Sequence, residues 1–183
     1  MVGCVVYFTI VRRLTDLVDA SIPDETIHRA VDARLRRFRG ALDTIPPENV
    51  ATLRSLRDRG FRLGLVSNAD ATELVGWPSC VLCGAFDAEV FSCEVGWVKP
   101  EPEIFIACLD KLGLSAAECL YVGDGGSGEL VAAKALGFQT VFVSGVIAEL
   151  WPERIAERIA IADHHIERLP DVERILEQIH FVT

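Results

Sequence analysis

Three short stretches of the chain hold residue types suited to phosphate and metal chemistry. Ser67-Asn68-Ala69-Asp70 offers a hydroxyl, an amide and backbone N–H groups to an anion, although Ser67 or Asn68 could equally cap a following helix. Lys99 stands directly before Pro100, where a helix start would fix its backbone while the ammonium reaches out; a lone loop lysine is otherwise simply solvated. Gly123-Asp124-Gly125-Gly126-Ser127-Gly128-Glu129 is a tight turn carrying two carboxylates, Asp124 and Glu129, five positions apart (129 − 124 = 5). Hard oxygen ligands of this kind suit Mg²⁺.

The elements around these stretches read as α/β. From Pro46 onward helix-period and strand-period segments alternate, with glycine where each helix should stop. A helix over Glu48–Arg59 leads to a strand over Phe61–Val66, and a helix opening at Pro100-Glu101-Pro102 leads to a strand over Cys119–Val122. A third, Glu129–Leu136, leads to Thr140–Val143. Further strands at Ala88–Phe91 and His164–Ile166 and a last helix over Asp171–Ile179 complete a mainly parallel sheet with helices on both faces. In such sheets ligands bind where the carboxyl ends of strands meet helix amino termini, and the three stretches follow strands or precede a helix there.

Residues 1–45 are of another character and read as a partial helical cap, with 46–183 as the α/β core. Ile27, Val31, Leu35 and Phe38 form an apolar helical stripe, and Arg29, Arg34, Arg36, Arg37 and Arg39 crowd the rest of that helix as a solvated outer face.

The composition is that of a globular chain: 183 residues, half of them hydrophobic, with no low-complexity tract or repeat. A net charge of −9 argues against nucleic acid, whose binding needs clustered cations. The apolar opening Val2–Val11 has its arginines, Arg12 and Arg13, after it, unlike a signal peptide, and no stretch has the apolar length of a membrane span. Six cysteines, mostly inside apolar runs, suit a reducing cytoplasm. Of these, Cys80 and Cys83 form a single Cys-x-x-Cys without a second pair or nearby histidine, which favours packing over zinc.

Taken in order, Leu65-Val66-Ser67-Asn68, then Gly96-Trp97-Val98-Lys99-Pro100-Glu101-Pro102-Glu103-Ile104-Phe105, then Tyr121-Val122-Gly123-Asp124 resemble motifs two, three and four of the haloacid dehalogenase-like (HAD) hydrolases. The resemblance runs from about Pro46 to Leu176. It implies a Rossmann-like HAD core and a phosphatase that transfers a phosphoryl group from a small phosphorylated metabolite through an aspartyl-phosphate. Ser67, Asn68 and Lys99 would then bind the phosphoryl group, Ser67 and Lys99 acting in catalysis by electrostatic preorganisation. Asp124 would hold Mg²⁺, and Glu129 would stand for the family's second acidic residue, with glutamate a departure from its pattern.

The family's first motif, a strand ending in Asp-x-Asp-x-Thr, has no counterpart, because no Asp-x-Asp occurs in the sequence. The nearest shape is Val5–Val11, which puts Thr9 and Val11 at the aspartate positions, only 58 residues before Ser67 (67 − 9 = 58). Threonine without a base and valine cannot replace a nucleophile and a proton donor. The chain is therefore expected to be truncated or inactive, with negligible phosphatase activity of its own. The resemblance implies a central slot between Phe61–Val66 and Cys119–Val122, and the β-branched and aromatic residues of Val5–Val11 predict that this segment fills it as a parallel strand. Two other functions stay open: a non-catalytic binding or interaction protein on the same scaffold, and a dinucleotide-binding module suggested by Gly123, Gly125 and Gly128 as Gly-x-Gly-x-x-Gly. The oligomeric state is not legible.

Overall fold

The computed structural model describes residues 2–179, with side chains from Phe8 onward. The chain divides into two units, one containing the residues up to Pro46 together with Ala69–Gly84, the other Pro47–Asn68 with the residues from Ala85 on.

The first unit is helical. Helix α1 spans Val2–Asp16 and α2 spans Asp24–Asp43. Ile27 and Val31 of α2 are buried as the apolar stripe predicts. Arg34, by contrast, leaves the solvated face to pair with Asp70 and Glu73, tying α2 to the short 3₁₀ segment Glu73–Ser79.

Val5–Val11 lies within α1, so the expectation of a parallel strand there is wrong. A helix satisfies its backbone internally, whereas strand preference is a matter of what surrounds the side chains. Here the surroundings are another helix: Phe8 stacks on His28 at 4.0 Å, and the Arg12 guanidinium donates to the Ile22 carbonyl at 2.6 Å and to Asp24 at 3.1 Å.

In the second unit, helix α3 (Pro47–Asp58) precedes strand β1 (Gly64–Ser67), and β2 (Ala88–Phe91) is followed by the single turn α4 (Ser92–Val95). Helix α5 (Pro102–Leu112) begins with Pro102 in its first turn and ends at the left-handed Gly113. Next come β3 (Leu120–Gly123), α6 (Glu129–Ala135) and β4 (Gln139–Val143). The short helices α7 (Gly145–Leu150) and α8 (Ile155–Ile161), β5 (His164–Ile166) and α9 (Val172–Gln178) complete the order.

All observed pairings are parallel, as the alternating pattern predicts, but they form two sheets, β1-β2 and β3-β4-β5. Two apolar clusters join them. Ile104, Phe105, Cys108 and Leu112 of α5 pack with Val66 of β1 and Tyr121 of β3. Leu56 of α3 and Val172 and Ile175 of α9 pack with Leu63 beside β1 and with Leu120 and Val122 of β3. The pleat sends alternate side chains of each strand to opposite faces, so both strands have helices above and below.

Candidate active site

The chain leaves β1 at Ser67, whose side chain is half-buried at the strand end. Asn68 follows. Its amide does not cap a helix; it reads the backbone of Lys99 in both directions, Nδ2 donating to the Lys99 carbonyl at 3.0 Å and Oδ1 accepting from the Lys99 N–H at 2.7 Å. The Lys99–Pro100 peptide, which is cis, is thereby fastened to the end of β1.

From that anchor the Lys99 side chain extends to Glu129, with Nζ 2.6 Å from Oε2. Glu129 is nearly sealed, its side chain 4% exposed against 15% for Lys99. Tyr121 donates its hydroxyl to the same carboxylate oxygen at 2.9 Å, and the Gly125 N–H donates to Oε1 at 3.1 Å. Burial first, and then the Glu129 carboxylate, push the Tyr121 phenol far above its ordinary range, so it remains a proton-bearing donor.

Room for this carboxylate comes from Gly123. A Cβ there would stand 2.1 Å from Glu129 Oε1. The next residue, Asp124, is exposed; its Oδ1 accepts from the Gly126 N–H at 2.7 Å, and its backbone carbonyl accepts from Arg158 at 2.5 Å.

Asn68, Lys99 and Glu129 thus form one hydrogen-bonded line between the carboxyl ends of β1 and β3, with Ser67 at one end and Asp124 just past the other. Asp70 belongs to the helical unit, where Arg34 and Thr72 hold it; burial opposes its ionisation, and these partners outweigh that effect and keep its carboxyl below the usual range.

Sequence pattern does not single out Tyr121 as a partner of Glu129, because a strand tyrosine is ordinarily core, although it stands in the Tyr-Val-Gly-Asp run. Arg158 had no signal: it comes 34 residues after Asp124, on a helix the periodicity did not reveal.

Mg²⁺ fits this edge only in part. Asp124 offers an exposed carboxylate, but both oxygens of Glu129 already accept from protein donors, and the described residues contain no group of three potential metal ligands.

The parallel strands and the helices that cover them define an α/β core with polar side chains gathered at the carboxyl ends of β1 and β3. The chain belongs to the haloacid dehalogenase-like hydrolases, whose family profile matches residues 2–137. It is 36% identical over 98 residues to the glyceraldehyde 3-phosphate phosphatase of Methanopyrus kandleri, a match covering 52% of this chain and 41% of that protein. With the haloacid dehalogenase-like hydrolase domain-containing protein 3 of Bos taurus the identity is 30% over 139 residues, covering 72% and 50%. The chain spans about half the length or less of the first curated relatives it matches. Among solved structures, a HAD phosphatase from Thermococcus onnurineus superposes with a TM-score of 0.65 at 26% identity, over 88% of this chain and 68% of that one. A beta-phosphoglucomutase described from Thermotoga maritima gives 0.67 at 20% identity, covering 91% and 76%, and supports the fold. Among the described residues no helix is long and apolar enough to cross a membrane.

Proposed function

We propose that this chain carries the phosphate-facing half of a phosphatase site for a small phosphorylated metabolite. The observation that carries the reading is the placement of Lys99, fixed through its backbone by Asn68 and through its ammonium by Glu129, between the ends of β1 and β3. An ammonium has three N–H donors and Glu129 takes one, so two remain for phosphoryl oxygens. The Ser67 hydroxyl at the adjacent strand end supplies a neutral donor, and donors held in place before the substrate arrives need no reorganisation. The phosphatases among the similar proteins point to the same chemistry.

Asp124 is the residue that would hold Mg²⁺, which would neutralise phosphoryl charge once a second acidic ligand joined it. Transfer through an aspartyl-phosphate also requires an attacking carboxylate. With no Asp-x-Asp in the sequence, these 183 residues should bind phosphate without hydrolysing its esters.

Titration calorimetry with inorganic phosphate and Mg²⁺ tests this directly, alongside hydrolysis of an aryl phosphate. Wild-type chain should bind phosphate, Ser67→Ala and Lys99→Met should each weaken binding about tenfold or more with folding checked by circular dichroism, and no hydrolysis should exceed a protein-free blank. Unchanged affinity in both variants would overturn the phosphate assignment. Hydrolysis abolished by Asp124→Ala would overturn the expectation of an inactive chain.

A further inference from the structure

A cavity of about 370 Å³ opens between the glycine-rich turn after β3, helix α6 and helix α8. That volume lies at the lower end of the ~300–1,000 Å³ common for small-molecule sites. Its lining is apolar in one part and cationic in another. Leu130 and Val131 of α6 and Ile161 of α8 make the apolar part. Arg158 of α8 and Arg154, in the turn just before that helix, make the cationic part. Neither Asn68 nor Lys99 lines this cavity, so it is separate from the edge where β1 ends.

Arg158 is held in place before any ligand arrives. Its stem lies against Gly125, where a Cβ would stand 2.8 Å from the arginine Cδ and 3.2 Å from Nε, and its Nη1 donates to the Asp124 carbonyl at 2.5 Å. A guanidinium carries five N–H donors, and this is the single one that Arg158 spends among the described residues. Arg154 spends none there. The two stand four residues apart (158 − 154 = 4), the spacing that brings side chains together over one helical turn, and both reach the same cavity. Glu157 shares the lining, yet no ion pair joins it to either arginine among the described residues. In a chain of net charge −9, a pair of arginines left without carboxylate partners is a place where an anion is favoured.

We infer that this cavity binds a small organic anion, a phosphate or carboxylate head carried on a short apolar body. The head goes to the arginines, because the planar guanidinium fork matches two oxygens of either group at once. The body goes to the α6 side, where Val131 is 55% exposed beside the buried Leu130 and offers apolar surface for a ligand to cover. Glu157 adds an acceptor, which selects a ligand with a hydroxyl near its head over one without. A bare anion leaves the apolar part wet and binds less tightly for that reason. The inference does not rest on the phosphate reading at Lys99, since the two sites share no side chain.

Heteronuclear NMR titration of the wild-type chain reads this out residue by residue. The probes are α-hydroxyisocaproate and isopentyl phosphate, with isopentanol as the neutral control and inorganic phosphate as the head group alone. The Gly125 and Gly128 amides and the Arg158 Nε–H should shift saturably with at least one organic anion, about tenfold tighter than with inorganic phosphate, and should not respond to the alcohol. The tighter of the two anions identifies the head group. Arg154→Gln removes a guanidinium that holds nothing else, and Val131→Glu places a like charge on the apolar side. Both positions are exposed, so circular dichroism should be unchanged while each variant weakens the tighter probe about tenfold or more. No saturable shift with either anion would overturn the inference, as would inorganic phosphate or the alcohol binding equally well, or both variants keeping wild-type affinity. Binding at Lys99 is reported by the Asn68 and Lys99 amides instead, so the two proposals fail separately.

Discussion

Substituting Lys99 by methionine keeps most of its aliphatic bulk and removes only the ammonium. What remains is a carboxylate 4% exposed, with Tyr121 at 2.9 Å and the Gly125 N–H at 3.1 Å as its donors. Breaking a buried ion pair from one side costs about 3–5 kcal/mol, because the surviving charge keeps its desolvation penalty. Two retained donors place Glu129 near the lower end, at about 3 kcal/mol. With a urea slope of about 2 kcal/mol per molar for a unit of this size, the unfolding midpoint should fall by about 1.5 M. Circular dichroism across a urea series at pH 7 measures it. Pairing the change with Glu129→Gln removes the stranded charge, so the double variant should recover about 2 kcal/mol relative to the sum of the singles. Added salt should leave that coupling nearly intact, since a pair this buried is poorly screened. A midpoint for Lys99→Met equal to wild type, or strict additivity in the double variant, would show that the two side chains do not depend on each other.

Gly123→Ala should destabilise by about 1–3 kcal/mol in the same urea series, because a Cβ 2.1 Å from Oε1 must displace a carboxylate held by three donors. Asn68→Ala should speed exchange of the Lys99 amide about tenfold or more by NMR, since that N–H loses its acceptor. In acid, burial opposes ionisation of Asp163, but Lys134 and Thr140 outweigh it and hold the folded carboxyl below its unfolded value. Its stabilisation should therefore be present above the unfolded pKa of about 3.9 and disappear as pH falls through the lower folded value; Asp163→Asn should flatten the acid limb of stability against pH. Cys108, whose thiol burial pushes up to about 11, should resist iodoacetamide in the native chain while exposed Cys83 reacts, as mass spectrometry of the labelled chain will show.

The parts of the fold legible in the sequence are those where local and tertiary preferences agree. Ala88–Phe91 and His164–Ile166 are strands at the expected residues, and α5 starts and stops where Pro102 and Gly113 direct it. Val5–Val11 shows the opposite: its valines and aromatics suit a buried strand, but the α1–α2 contacts reward a helix, and no single-segment pattern contains that partner. Ser67 and Asp124 are legible because motif spacing places them at strand ends, and Lys99 because it stands directly before the helix start at Pro100-Glu101-Pro102. That Glu129 faces Lys99, with both oxygens occupied, depends on Gly123 and Tyr121 approaching from another element, which spacing does not encode. Adjacency in sequence groups Asp70 with Ser67, but Asp70 belongs to the helical unit, where Arg34 pairs with it.

The Asn68 side chain has a consequence for how position 99 holds a charge. A carboxamide presents the same donor and acceptor as a peptide group, so Asn68 acts toward Lys99 as one extra link of ladder, addressed only to N–H and C=O. Place and payload are then set separately: the main chain at residue 99 is located without reference to the side chain that it bears. The lysine stem needs to reach only from a fixed origin to Glu129, so few of its rotamers stay open. A loop built on this plan can exchange its cation for another side chain and keep its path.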